Sequence, residues 1–302
     1  MLLVTGADGF VGRHLVARLA DEGEPVRALV RDATRARRVL PTAGVELVVG
    51  DTTRVDSLPS AFAGVETVIH AAFITANRKQ RAGVSYYQTN VLGTRHVIDA
   101  AKDAGTRRIV VADGLGTKPD KPGSYMQGRY EADQAVKNSG LAYSFLGPSV
   151  QFGPGSAFIS GLADLIKSPV PVVPMIGDGS LRFQPIWVED VVTCLLKMAR
   201  EPERYDGRTI DVGGSEVYTY SQILDLLMAA LKRRKIKVPG PMPLAAIGAA
   251  AMQLVLANPP ITVAALGLFD FPNVAASLDV VEKEFGFKAM AYRDYVAKYG
   301  AN

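Results

Sequence analysis

Apolar positions in the first half of the chain fall in short runs, at 2–5, 26–30, 45–49, 66–70, 107–112 and 143–147. These runs are nearly continuous Val, Ile and Leu, without a clean apolar–polar alternation, which predicts strands buried on both faces. Between them the pattern turns helical. Val11, Leu15 and Leu19 share one face; Tyr86 to Ala104 reads as one long helix ended by Gly105, and Tyr125 to Asn138 as another ended near Gly140. Strand and helix in alternation predict an α/β chain with a doubly wound parallel sheet.

The texture changes after residue 150. Connections become rich in Gly and Pro, as in Gly153-Pro154-Gly155 and Gly177-Asp178-Gly179. Strands near 183–187 and 209–212, flanking a helix from Glu189 to Ala199, are expected to return to the edge of the first sheet. A nucleotide-binding domain of 1–151 plus about 183–215 is therefore expected, with a smaller discontinuous domain of about 152–182 plus 216–302. Within the latter, Lys232-Arg233-Arg234-Lys235 precedes an almost purely apolar stretch from Leu244 to Ala257. That stretch is too short to cross a bilayer. It reads as a buried helix of the small domain, with a surface-lying helix as the alternative.

Composition narrows the function classes. Hydrophobic residues make up 48% and charged residues 21%, with a net charge of +4 dispersed along the chain, so nucleic acid is not an expected partner. One cysteine, Cys194, excludes an intramolecular disulfide, and with three scattered histidines no metal centre is expected. The first strand is not preceded by a charged and apolar leader pattern, which points to a reducing cytoplasmic setting, with attachment to the inner membrane face left open by the apolar stretch.

Candidate chemistry begins where the first strand ends. Gly6-Ala7-Asp8-Gly9-Phe10-Val11-Gly12 lies between a strand and an amphipathic helix, followed by a second strand, the context a dinucleotide-binding turn requires. One glycine permits the tight turn, another lets the backbone approach a pyrophosphate, and the third lets helix and strand pack closely. At the end of the second strand, an acidic residue would bind the ribose hydroxyls of NAD; Arg31 stands there instead and predicts NADP(H), with Asp32 keeping NAD(H) as the alternative.

The spacing Gly6-x-x-Gly9-x-x-Gly12 resembles the extended short-chain dehydrogenase/reductase superfamily. Gly50-Asp51, His70-Ala71-Ala72, Asn90-Val91-x-Gly93-Thr94, Tyr125, Gly147-Pro148-Ser149-Val150, Phe152-Gly153-Pro154-Gly155 and Gln184-Pro185-Ile186-Trp187 come after it in matching order. The tail from Tyr218 resembles the atypical branch that includes the nucleotide-binding accessory subunit of respiratory complex I. This likeness implies a Rossmann-like sheet with a smaller substrate domain. It also implies coenzyme contacts at Gly6, Asp8, Gly9, Phe10, Val11, Gly12, Asp51, Thr52, Ala71, Ala72, Pro148 and Val150, and a supporting role for Asn90. Family chemistry rests on a Tyr-x-x-x-Lys pair and a Ser or Thr hydroxyl. Here the pair is Tyr125 and Arg129, and Asp113-Gly114-Leu115-Gly116 stands where relatives carry Ser-Ser-Leu-Gly.

Glycine cannot donate to a substrate carbonyl, so Thr117 or Ser149 is the candidate replacement hydroxyl. Asp113 is expected either near the nicotinamide or as a cap of its loop. Gln151, Phe152 and Trp187 are expected to line an apolar substrate wall. These features lead to an oxidoreductase moving a hydride to or from a ketone, alcohol or quinone-like compound. A catalytically degenerate NADPH-binding protein with a structural or redox-sensing role in a larger assembly is the alternative, and a nucleotide-sugar epimerase or dehydratase is disfavoured; a homo-oligomer and a redox complex are both open as partners.

Overall fold

The computed structural model describes residues 1–255 and 261–300, apart from the side chain of Leu244. Leu256 and Ala257, the end of the expected apolar stretch, and residues 301–302 lie outside the described residues. The chain divides into two compact units, one of 1–74, 80–147 and 191–210, the other of 75–79, 148–190 and 211–302.

The first unit is built on β1 (Leu2–Thr5), β2 (Val26–Val30), β3 (Val45–Val49), β4 (Thr67–His70), β5 (Arg108–Ala112) and β6 (Ala142–Pro148). These strands lie within one or two residues of the sequence expectation. They order themselves 3-2-1-4-5-6, with the strand Thr209–Val212 added beyond β6. Pairing within 3-2-1-4-5-6 is parallel throughout. Every residue of β2 is buried, and Leu3, Leu29, Val68, Ile109 and Phe145 join Phe62 and Val97 from covering helices in one core. Each such side chain contributes about 1.5–3 kcal/mol by leaving water.

This order reverses between β1 and β4. Ligands of open α/β sheets settle at the carboxyl ends of the strands beside such a reversal. The chain has Gly6, Arg31, Gly50, Ala71 and Asp113 immediately after β1, β2, β3, β4 and β5.

The long helix expected over 86–104 forms, but in two windings: a π-helical stretch Tyr86–Leu92, capped by Ser85, runs into an α-helix Gly93–Asp103. The helix Tyr125–Lys137 starts on Ser124, whose hydroxyl accepts from the Gln127 amide at 3.0 Å. That cap sets Tyr125 in the first turn.

In the second unit two expectations are corrected. Residues 183–187 do not extend the large sheet; they split into Arg182–Phe183, antiparallel to Tyr218–Thr219, and Ile186–Trp187, parallel to Gln151–Phe152. Pro185 supplies no amide donor, and Gln184 between them is held by Asn273 and Gly214. The core of this unit gathers Phe152, Phe183, Ile223, Leu227 and Tyr292. The apolar stretch forms a helix, Met242–Val255, that is surface-lying and not buried: Ala249 is covered, but Ile247 is 66% and Leu254 85% exposed. Among the described residues no helix is long and apolar enough to cross a membrane.

Candidate coenzyme and catalytic site

The glycine turn is dictated by close backbone approaches. Gly6 sits at φ +64°, and a Cβ there would lie 2.7 Å from the carbonyl oxygen of Ala71 and 2.8 Å from Cα of Ala72. At Gly12 a Cβ would meet the Gly6 carbonyl oxygen at 2.2 Å, and at Gly9 the same oxygen at 2.9 Å. Phe10 and Val11 begin the helix Phe10–Asp21, whose N-cap Gly9 offers no side-chain acceptor and whose first turn holds no acid. Its leading amide groups are thus left for an anion, with the positive end of the helix dipole behind them. This cradle fits the pyrophosphate of a dinucleotide.

The residues expected at the adenosine end are arranged by the ends of β2 and β3. Arg31 and Asp32 are both exposed, and an Asp32 oxygen accepts from the Arg35 amide at 3.1 Å, capping the turn Ala33–Ala36. Asp8, from the glycine turn, lies 3.8 Å from the Arg35 guanidinium. Asp51 closes its own turn by accepting from the amide and hydroxyl of Thr53, both at 2.8 Å. Thr52 is buried, and its carbonyl binds the His96 ring at 2.8 Å.

Beyond β4, a hydrogen-bonded relay fixes the backbone of Ala71 and Ala72. His70 is fully buried, and burial with the nearby Arg129 charge holds its imidazole down to about 3, so it is neutral at working pH. The Thr94 hydroxyl donates to the Asn90 carbonyl, so Thr94 accepts from His70 Nε2–H at 3.0 Å. By elimination His70 Nδ1 accepts from the Thr5 hydroxyl at 2.7 Å. Asn90 is equally committed: its amide accepts from the Ile74 amide at 2.9 Å and donates to the Ile74 carbonyl at 3.1 Å. Both residues brace the loop after β4.

Tyr125 and Arg129 come together with Asp113 in a buried ionic cluster. Arg129 Nε donates to Asp113 Oδ1 at 2.8 Å, Nη2 donates to that oxygen and to the Ala112 carbonyl, and both charged side chains are 2% exposed. The guanidinium carbon also lies 3.5 Å from the ring centre of Phe73, a cation–π contact. Asp113 is therefore neither a free carboxylate for substrate nor a simple loop cap. Burial pushes the Tyr125 phenol above its ordinary value; Arg129 pulls it down, and Asp113 and Asp133 push it up again. Thr117 is no replacement hydroxyl either: its one proton is taken up between an Asp113 oxygen and the Gly114 carbonyl, at 3.1 and 3.0 Å. The space at Gly114 is open. A Cβ there would meet only the Tyr125 hydroxyl, at 3.8 Å.

In the second unit Pro148 is buried, and the Val150 amide donates to Asn273 at 2.6 Å. The Ser149 hydroxyl is buried and donates to the Gln184 carbonyl, which removes the other candidate replacement hydroxyl. Phe152 is fully buried against Tyr292 and Tyr295, a core position and not an open wall. Gln151 and Trp187 are half-buried on paired strands, and Gln151 Oε1 and Trp187 Nε1 are buried atoms without a partner. A bound polar group or water would satisfy both.

Sequence reasoning missed Phe73, Gly128, Asp133 and Arg35. Gly128 alone carried a signal, as a helix-interior glycine; a Cβ there would lie 3.2 Å from Cβ of Tyr86, whose ring stands edge-on to Tyr125 at 5.5 Å.

Comparison with known proteins places relatives beside the chain. Residues 6–151 match a family described as NAD(P)H-binding. The chain is 26% identical to NAD(P)H azoreductase of Xenophilus azovorans, across 100% of this chain and 98% of that protein. Ceramide reductase of Caulobacter vibrioides is 30% identical over 80% of this chain and 74% of its own. The mitochondrial NADH dehydrogenase (ubiquinone) 1 alpha subcomplex subunit 9 of Arabidopsis thaliana is 23% identical over 90% of this chain and 68% of its own.

Proposed function

The chain belongs to the NAD(P)-binding extended short-chain dehydrogenase/reductase family, and from that premise we propose that it is an NADPH-dependent reductase of apolar carbonyl or quinone-like compounds. The observation that carries this reading is Tyr125: its hydroxyl faces the open space at Gly114, one helical turn from the buried cation Arg129. A bound nicotinamide coenzyme supplies the hydride. Tyr125 supplies the proton to the oxygen that accepts it, and a phenol raised by burial stays protonated for that task across neutral pH. The open space at Gly114 admits a bulkier group beside the carbonyl than a serine would. Reductase names among the relatives, one for ceramide, agree with an apolar acceptor.

The test is NADPH consumption by purified protein over a panel of ketones, quinones and azo compounds. Tyr125→Phe is expected to lower turnover by about 100- to 10,000-fold. An unchanged rate in the variant, or no turnover across the panel, overturns the reading.

The coenzyme preference rests on two observations at the end of β2. Arg31 is exposed and available to a 2′-phosphate, while an Asp32 oxygen that could serve a ribose hydroxyl caps a turn. Arg31→Ala should weaken NADPH about 10- to 150-fold and NADH little, as one charge-assisted contact is worth roughly 1.5–3 kcal/mol. Calorimetry with both coenzymes checks it; equal losses contradict it.

One observation favours a second reading. With Asp113 holding Arg129, the cation that activates tyrosine in this family is partly neutralised, as in a protein that keeps NADPH without turning it over. Tight NADPH binding, no turnover and an inert Tyr125→Phe would establish that alternative.

A further inference from the structure

Between Asp225 and Asp270 the chain carries no acidic side chain, and its five cations crowd into 232–237. Two are engaged: Lys235 donates to the Ser168 and Val170 carbonyls, and Lys237 pairs with Asp225 at 2.7 Å. Lys232, Arg233 and Arg234 are exposed and form no ion pair among the described residues. Lys232 also holds φ +52°, the left-handed position after a helix that glycine occupies at lower cost.

Beyond this basic turn the chain is apolar on its outside. Ile236 and Val238, on the open face of the strand Ile236–Gly240, are 68% and 42% exposed. The helix Met242–Val255 then turns Ala245, Ala246 and Ala249 inward and Ile247, Ala250, Ala251 and Leu254 outward. Met242 and Met252 are half-buried and Ala250 and Ala251 exposed, so side-chain size does not sort the two faces; what the helix leaves in water are the large apolar side chains of Ile247, Leu254 and Val255, which are 66%, 85% and 84% exposed. At 14 residues it is about 21 Å long, enough to lie in a membrane interface and too short to cross one.

We propose that this segment docks the protein on an anionic lipid surface, with Ile247 and Leu254 entering the headgroup boundary and Lys232, Arg233 and Arg234 meeting the lipid phosphates. Charge of one sign beside an exposed apolar helix matches an anionic bilayer. The inference is independent of turnover at Tyr125.

Co-sedimentation of the full chain with vesicles of phosphatidylcholine plus phosphatidylglycerol, against phosphatidylcholine alone, tests it. The protein is expected to sediment with the anionic vesicles and to be released by salt. Arg233→Gln with Arg234→Gln should weaken binding about 25-fold, fivefold per cation. Ile247→Glu with Leu254→Glu should abolish it while NADPH binding is retained. Lys232→Gly should raise the melting temperature, through relief of the left-handed lysine, yet weaken vesicle binding about fivefold. A wild-type protein left in the supernatant, or binding that survives the double Glu variant, overturns the proposal. So does a wild-type dimer that this variant splits in sedimentation velocity, since the face is then covered by a second copy.

Discussion

A carboxylate buried beside an ion pair titrates far from its ordinary range. Asp133 is 6% exposed, one turn past Arg129; burial, then the Asp113 charge, raise its carboxyl to about 8, against the opposing pull of Arg129. The unfolded chain releases that proton near 3.8, so between about 4 and about 8 the folded state holds a proton the unfolded state lacks. Stability contributed at this site is present below that window and lost as pH rises through it. Asp133→Asn keeps a donor toward Asp113 and removes the titration; the buried neutral His70 costs stability below its ordinary 6.5, so above that value, from about pH 7 to about pH 8, the variant's urea stability should be flat while the wild type declines. Equal slopes in the two proteins would refute the buried-acid account. Residue by residue, the sequence displays Arg129 in place of lysine and Gly114 in place of serine. It does not display that a forked guanidinium would donate two bonds to one oxygen of Asp113, because that contact joins a loop to a helix 16 residues on.

Within an element, a glycine's role depends on what its neighbours allow. Gly12, inside the helix Phe10–Asp21, leaves no room for a methyl group, since the Gly6 carbonyl oxygen would be 2.2 Å away. Gly161, inside the helix Ala157–Lys167, has nothing within 4 Å of the same added atom. Helix propensity favours alanine by about 1 kcal/mol at both. Gly161→Ala should therefore gain up to about 1 kcal/mol in a denaturant titration, whereas Gly12→Ala should lose about 1–3 kcal/mol and its NADPH affinity. A stabilised Gly12→Ala would show that the turn relaxes. The inner strands of the first unit are legible as apolar runs because burial on both faces leaves few polar positions in them, whereas β3, at the sheet edge, has no buried residue and Val49 is 56% exposed. The π-helical winding at Tyr86–Leu92 is not legible, since 3.6-residue periodicity barely changes when one residue is added to a turn; the Asn90–Ile74 bonds and the Tyr86–Gly128 packing accompany it.

For the whole molecule, the amino-acid order determines more than the composition does. Runs of Val, Ile and Leu and glycines at 6, 9 and 12 suffice for a parallel sheet and a tight turn at a helix N-terminus, with Arg31 placed directly after the second strand. All of these are local: each depends on residues within one strand, turn or helix. Tertiary structure decided the rest, because those outcomes depend on partners distant along the chain. It withdrew 183–187 from the large sheet through Gln184 and its bonds to Asn273 and Gly214, and it closed Asp113 onto Arg129. It committed the Thr117 and Ser149 hydroxyls to loop and backbone acceptors, and it turned Ile247 and Leu254 outward. A side chain's chemistry is written in the sequence, but whether its polar atoms are already satisfied is settled only when the chain brings a partner to them.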